Sequence, residues 1–91
     1  MKRVRVYNEK GAKFTTTADK AIKNNWVPVE GVELLHRMDL WSRKMENDKG
    51  IGVSFEYYSV KRSECFDRLK ALRAEGYYIP ESTEDLNYDV G

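Results

Sequence analysis

The sequence is poor in the residues that build metal centres, disulfides and nucleophilic active sites. It has one cysteine, Cys65, and one histidine, His36, among 91 residues. A single cysteine forms no intrachain disulfide, and the two residues together are too few for a zinc-binding set. Glu33, His36 and Asp39 recur every three residues, but on a helix they would spread around a wide arc. No nucleophile, base and orienting group form a recognisable motif. We therefore expect no metal, no cofactor and no catalytic residue, and we interpret the protein as non-enzymatic.

The sequence also lacks long apolar runs and a substantial net charge. No segment approaches the roughly 18 apolar residues of a membrane span, and residues 1–11 lack the apolar core of a signal peptide. We expect no membrane partner, and the lone cysteine fits a reducing cytoplasm. Sixteen basic and fifteen acidic residues leave a formal charge of +1. A balance this even argues against general attraction to nucleic acid.

The composition predicts one small domain. Hydrophobic residues make up 41% of the chain and aromatic residues 12%, which suffices for one core. Residues 81–91 contain four carboxylates and no basic side chain. We predict a single domain over residues 1–80, followed by an acidic, flexible tail over 81–91. The alternation of apolar residues late in this tail leaves open that it is ordered as an edge strand.

The first sixteen residues have the pattern of a β-hairpin. In RVRVY, at 3–7, valines alternate with basic and aromatic residues, which gives the strand two different faces. Asn8 suits the first position of a type I turn, and Gly11 supplies the positive φ of a closing bulge. The segment AKFTTT is rich in β-branched residues and reads as the returning strand. The sequence therefore predicts a hairpin over residues 3–16.

A short helix, ADKAIKNN, is predicted after this hairpin. Thr16 or Thr17 can cap its start, and Asn24 or Asn25 can take the left-handed conformation that ends it. The following WVPV segment should be extended, because Pro28 disfavours the helical region for the residue before it.

A second copy of this pattern begins at residues 47–50, where NDKG repeats the earlier NEKG. Alternation over 51–58 predicts a strand, and the repeat pairs it with residues 40–46 across the turn. Ser63 can cap a helix that ends at Gly76. That helix has an apolar stripe: Phe66, Leu69, Leu72 and Ala74. The resulting prediction is an α+β fold, with a small antiparallel sheet built from two β-hairpins, each followed by a helix packed on one face.

The segment before the second NxKG supports two interpretations. Leu34, Met38, Trp41 and Met45 recur at spacings of four, three and four, which is typical of an amphipathic helix. The repeat instead requires a strand over 40–46. The sequence leaves open a single helix over 32–47 or a helix to residue 38 followed by a strand. If 40–46 is helical, the second NxKG marks a helix end and the repeat fails.

One pattern points to nucleic acid. The segment KGIGVSFEYY resembles the first signature of RNA-recognition motifs, and VRVYN loosely resembles the second. Ile51, Val53 and Arg5 stand where that family has the aromatic residues on which bases stack. The resemblance therefore implies, as an alternative function, a nucleic-acid binder that contacts phosphates. The residues for this role are Arg3, Arg5, Lys13, Lys49 and Lys61.

The abundance of tyrosine and tryptophan favours a protein partner. Exposed Trp, Tyr and Arg side chains are the typical residues of protein-binding hot spots. The YY pairs at 57–58 and 77–78 each expose one ring if the chain is extended there. We predict as contact residues Trp41, Arg43, Tyr58, Arg62 and Tyr78.

The N-terminal third resembles a group of phage proteins. VYNEKGAKFTTTADKAIKNNWVPV is similar to small bacteriophage open reading frames that place a hairpin before a helix with a Gly/Asn–Trp stop. The resemblance implies an accessory protein that binds a host or phage protein to inhibit or redirect it, in the host cytoplasm. It carries no functional residue over. A homo-oligomeric structural component of the virion is a further alternative.

Overall fold

The computed structural model describes residues 2–47 and 52–83. Within these ranges three strands and three helices follow one another. They are β1 (Arg3–Tyr7), β2 (Lys13–Thr17), α1 (Ala18–Lys23), β3 (Val27–Pro28), α2 (Val29–Asn47) and α3 (Gly52–Ala74). The strands form one antiparallel sheet in the order β2-β1-β3. This confirms the predicted α+β class with a small antiparallel sheet.

The NEKG segment forms the predicted turn between β1 and β2. The N–H of Gly11 donates to the carbonyl of Asn8 at 3.0 Å, and Gly11 has a φ of 83°. The Asn8 side-chain oxygen accepts from the N–H groups of Lys10 at 2.9 Å and Ala12 at 3.0 Å. Asparagine thus organises the turn through its side chain, and glycine supplies the left-handed position that closes it.

Helix α1 has the predicted caps. Thr17 accepts a hydrogen bond from the N–H of Lys20 at its start. At its end Asn25 has a φ of 56°, and the N–H of Trp26 donates back to the carbonyl of Ala21 at 3.0 Å. This pattern satisfies the last carbonyls of the helix and turns the chain into β3.

Helix α3 ends in the same way. Gly76 has a φ of 106°, its N–H donates to the carbonyl of Arg73 at 3.0 Å, and the N–H of Tyr77 donates to that of Leu72 at 3.3 Å. The structure therefore contains one part of the predicted repeat, namely the similar C-terminal ends of α1 and α3. They arise from one local cap chemistry, used twice.

The prediction of a second β-hairpin, over residues 40–58, is wrong. Residues 40–46 lie within α2, and residues 52–58, the described part of the second predicted strand, lie within α3. Asn47 therefore ends a helix, and Lys49 lies outside the described residues. Ser63, predicted as an N-cap, is an exposed residue inside α3. The continuous helix was the correct interpretation of the segment over 32–47.

The predicted stripe on α3 is corrected in part. Leu69 and Leu72 are buried, but Phe66 is 46% exposed and Ala74 is also exposed. Cys65, rather than the predicted Phe66, belongs to the buried core. The buried positions recur at four and three residues, which places them in one line along the helix.

The main core lies between the sheet and the three helices. Val6 is fully buried there, with Val4 and Phe14 packed beside it from the same face of the sheet. The helices contribute Ala21, Leu34, Leu35, Cys65, Leu69 and Leu72, and the segment after α3 contributes Tyr77 and Ile79. A smaller cluster joins Tyr7 with Val27 and Val32.

Hydrogen bonds from Arg73 hold the segment after α3 to that helix. Arg73 donates from its guanidinium to the carbonyl of Ile79 at 3.1 Å and to that of Pro80 at 2.8 Å. These bonds hold Ile79 against the start of α2, where it packs on Gly31. Residues 81–83 continue beside α2, and most of the predicted tail over 81–91 lies outside the described residues.

Candidate protein-binding site

Helices α2 and α3 extend beyond the core. Among the side chains that the structure describes, none is buried after Leu35 on α2 or before Cys65 on α3. We call residues 36–47 and 55–64 the hairpin tip, and none of them is fully buried. The molecule is accordingly elongated, measuring 45 × 24 × 17 Å. The tip is therefore a helical projection held together by half-buried side chains.

Three aromatic rings occupy the centre of the tip. Trp41 stacks on Tyr58 with ring centroids 5.5 Å apart and planes at 24°. Tyr57 meets Trp41 edge-on at 6.1 Å and Tyr58 at 5.7 Å. Trp41 and Tyr58 are half-buried between the helices, whereas Tyr57 is 53% exposed. The cluster thus joins the two helices and also presents a ring to solvent.

Two lysines lie over these rings. The Nζ of Lys44 is 5.6 Å from the ring centroid of Tyr58, and the Nζ of Lys61 is 5.6 Å from that of Tyr57. Exposed cation–π contacts of this kind contribute about 0.5–1 kcal/mol each and keep the charge in water. Together with Trp41, these four residues form what we call the aromatic–lysine cluster. Its surface combines apolar area with positive charge.

The structure places two of the five predicted contact residues in this cluster, namely Trp41 and Tyr58. Arg62 is also in the tip, where its Nε donates to the hydroxyl of Ser42 at 2.8 Å. Arg43 forms an exposed ion pair with Asp39 at 3.0 Å. Tyr78 is 43% exposed but follows the end of α3, outside the tip.

Sequence reasoning missed Tyr57 and Lys44 as members of the cluster, and it assigned Lys61 to the nucleic-acid alternative. The strand interpretation put Tyr57 and Tyr58 on opposite faces, whereas in a helix they are about 100° apart and both reach Trp41. The spacing from Tyr58 to Cys65 is seven residues, or two helical turns. That spacing was the signal that could have extended α3 upstream.

Three of the residues predicted for nucleic acid lie on one face of the sheet. Arg3, Arg5 and Lys13 are exposed, and the β1–β2 register puts them on the face opposite Val4 and Val6. Lys61 is in the tip instead, and Lys49 lies outside the described residues. The aromatic strand of the RNA-recognition resemblance is absent from the described residues, because residues 52–60 are helical.

A cleft of about 420 Å³ lies beside β1. Its lining includes residues 2–5 at the start of β1, together with Pro28, Glu30, Arg68 and Leu72. Arg68 donates two hydrogen bonds of 2.9 Å to the Glu30 carboxylate. These bonds lower the pKa of Glu30 below its usual value and raise that of the Arg68 guanidinium.

Over the described ranges no three His, Cys, Asp or Glu side chains are grouped so that they could hold a metal ion. No helix within the described part of the chain is both long and apolar enough to cross a membrane. Comparison with protein-family models, curated proteins and solved structures finds no match to this chain.

Proposed function

We propose that the protein is a non-enzymatic protein-binding module and that the hairpin tip is its contact surface. The observation that carries the proposal is the aromatic–lysine cluster, in which Trp41 packs against the edge of the main core, Tyr58 stacks on Trp41, and Tyr57 is 53% exposed. Tyrosine and tryptophan supply large contact areas at a low cost in side-chain entropy. A helical projection also carries its side chains in a fixed geometry.

The charges around the cluster indicate the chemistry of the partner. Lys44 and Lys61 lie over the rings, and Lys61 is also 3.8 Å from the Glu64 carboxylate. Arg43, which is paired with Asp39, adds a third cation with 75% of its side chain exposed. A partner surface with an apolar centre and a rim of Asp and Glu would complement this arrangement. We infer a role as an inhibitor or regulator of such a protein, and the phage resemblance suggests a host protein as the target.

The proposal is tested by site-specific photocrosslinking in the native cell. A photoreactive amino acid is placed at Tyr57, and a matched variant carries it at Tyr78, another exposed tyrosine outside the tip. We expect an abundant adduct with one acidic protein from position 57 and not from position 78. Adducts of equal yield and identity from both positions would count against the tip as the contact surface.

The identified partner is then used in purified form. Replacing a hot-spot tyrosine with alanine typically costs 2 kcal/mol or more, so Tyr57→Ala should raise Kd by about 30-fold. The control variant Tyr78→Ala should change Kd by less than about twofold. Circular dichroism of both variants should match the parent, because neither side chain is buried. A Kd unaffected by Tyr57→Ala would refute this function for the tip.

A further inference from the structure

The segment after α3 runs along α2 towards the hairpin tip. Ile79 packs on Gly31 in the first turn of α2. Residues 81–83 line a cavity of about 160 Å³ farther along that helix, together with Leu35, Met38, Asp39 and Ser42. An α-helix rises about 10 Å between positions 31 and 38, and four extended residues cover about 13 Å. The segment therefore follows α2 in the same direction, and it points to the tip at Thr83, where its described part ends.

The next surface on this path is the face of α3 that adjoins Ser42. Arg62 donates to the hydroxyl of Ser42 at 2.8 Å, which places this arginine at the groove between the two helices. Phe55 lies seven residues before Arg62 and Phe66 four residues after it, so all three share one face of α3. The two phenylalanines are 37% and 46% exposed. This face therefore presents apolar rings on both sides of a cation.

Arg62 is the cation that this face offers to a carboxylate. It forms no ion pair within the described ranges. Two acidic residues lie on the adjoining side of α2: Asp39 is paired with Arg43 at 3.0 Å, and Glu46 is one turn beyond Ser42. An extended ligand that turns one carboxylate to Arg62 and its other charges to water would fit these surroundings.

The sequence that follows the described segment matches this face. It reads EDLNYDVG from residue 84. Neighbours in an extended segment alternate between two sides, so Glu84, Leu86 and Tyr88 share one side. Both aspartates of the segment fall on the opposite side, which can face water. Five extended residues span about 16 Å, which exceeds the roughly 8 Å that α2 rises from Ser42 to its end at Asn47.

We propose that residues 84–88 of the same chain dock on this face as an extended strap. The carboxylate of Glu84 pairs with Arg62, and the apolar side chains that follow it cover the ring of Phe55. The aromatic–lysine cluster lies on the other side of the hairpin, since Tyr57 is five residues from Arg62 and thus about 140° around α3. The strap leaves this cluster as the side of the tip that is open to a partner. The inference does not depend on the function proposed for the tip.

The test is nuclear Overhauser spectroscopy of the full chain labelled with ¹³C and ¹⁵N. We expect cross-peaks from Leu86 and Tyr88 to the ring of Phe55, and none to Val60, which is 56% exposed on another face of α3. Backbone order parameters over residues 84–88 should be near the ~0.85 of rigid segments. Absence of these cross-peaks, or order parameters below ~0.6, would overturn the proposal.

Charge reversal tests the pair between Glu84 and Arg62. Chymotryptic cleavage after Tyr88 follows the population in which the strap is undocked. Arg62→Glu and Glu84→Arg should each accelerate this cleavage about two- to fivefold, because an exposed ion pair is lost. The double variant should return to the rate of the parent. If it cleaves as fast as the single variants, the pair is refuted.

Two controls separate this contact from other causes. Arg37→Glu reverses the charge of an exposed arginine five residues before Ser42, which is about 140° around α2 from that serine, and it should leave the cleavage rate unchanged. Equal acceleration in this variant would show an effect of net charge and contradict the pairing. A sample that mixes labelled and unlabelled chains should show the cross-peaks within one chain only. Cross-peaks between chains would refute a strap within one molecule.

Discussion

The contact between Gly31 and Ile79 allows a sharp test of how the C-terminal segment is packed. A Cβ added at Gly31 would lie 2.9 Å from Cδ1 and 3.2 Å from Cγ1 of Ile79. Crowding of this kind in a packed site typically costs about 1–3 kcal/mol. Alanine also improves helix propensity by at most about 1 kcal/mol over glycine. Gly31→Ala should therefore lower the free energy of unfolding by about 0–2 kcal/mol.

The sign should change when the obstructing methyl group is removed. Ile79→Val deletes Cδ1 and by itself should cost about 0.5–1.5 kcal/mol. In that background the closest contact is gone, so Gly31→Ala should be neutral or stabilising by up to about 1 kcal/mol. The double-mutant cycle should then show a coupling of about 1–2 kcal/mol between the two positions.

The assay is urea unfolding followed by circular dichroism at 222 nm, with all four proteins compared at one pH. The slope of free energy against urea should be unchanged, so that midpoints report stability directly. If Gly31→Ala has the same effect with isoleucine and with valine at position 79, the two residues are not in contact. That result would refute the packing of the C-terminal segment against α2.

Two further predictions concern the end of α3 and the ion pair beside the cleft. Gly76→Ala should cost about 1–2 kcal/mol in urea unfolding through its positive φ, since the nearest side-chain atom, on Ile22, leaves room at 3.4 Å; Gly76→Asn should cost less, and equal losses would contradict a backbone origin. The lowered pKa of Glu30 stabilises the fold above the ordinary carboxyl pKa of 4.5, and this contribution is lost as pH falls through the lower folded value. Because the pair with Arg68 is half exposed, Glu30→Gln should reduce the difference in stability between pH 6 and pH 3 by less than about 1 kcal/mol. The control Glu33→Gln should not reproduce this effect, and if it did the ion pair would not be its source.

The first hairpin and both helix ends were predictable because each is encoded within a few residues. Asn8 organises its own turn, Gly11 and Gly76 provide positive φ values, and Asn25 does the same for α1. These effects depend on local sterics and hydrogen bonds, so they are independent of the rest of the fold.

The start of α3 was not predictable from local pattern. Residues 51–58 alternate like a strand and are rich in β-branched and aromatic side chains, which favour strands on average. The helix is stabilised by tertiary packing instead, since Tyr58 stacks on Trp41 from α2. A single sequence does not show which residue will face Tyr58, so propensity and packing could not be weighed against each other.

The candidate site was predictable in composition and only partly in position. Trp41 and Tyr58 were predicted as contact residues because large aromatic side chains in a small domain exceed what one core can bury, and both lie in the hairpin tip. Tyr78 was placed with them for its residue type alone, and the structure puts it elsewhere.

The location of Cys65 gives the protein an internal reporter of its own motion. This thiol is buried at the boundary between the core and the hairpin tip. A thiol reagent reaches it when α3 separates locally from its neighbours, so the rate of modification measures that opening. Because the chain contains no other cysteine, the measurement needs no engineered label. A partner that binds the hairpin tip and holds the helices together would slow the modification of Cys65 without contacting it.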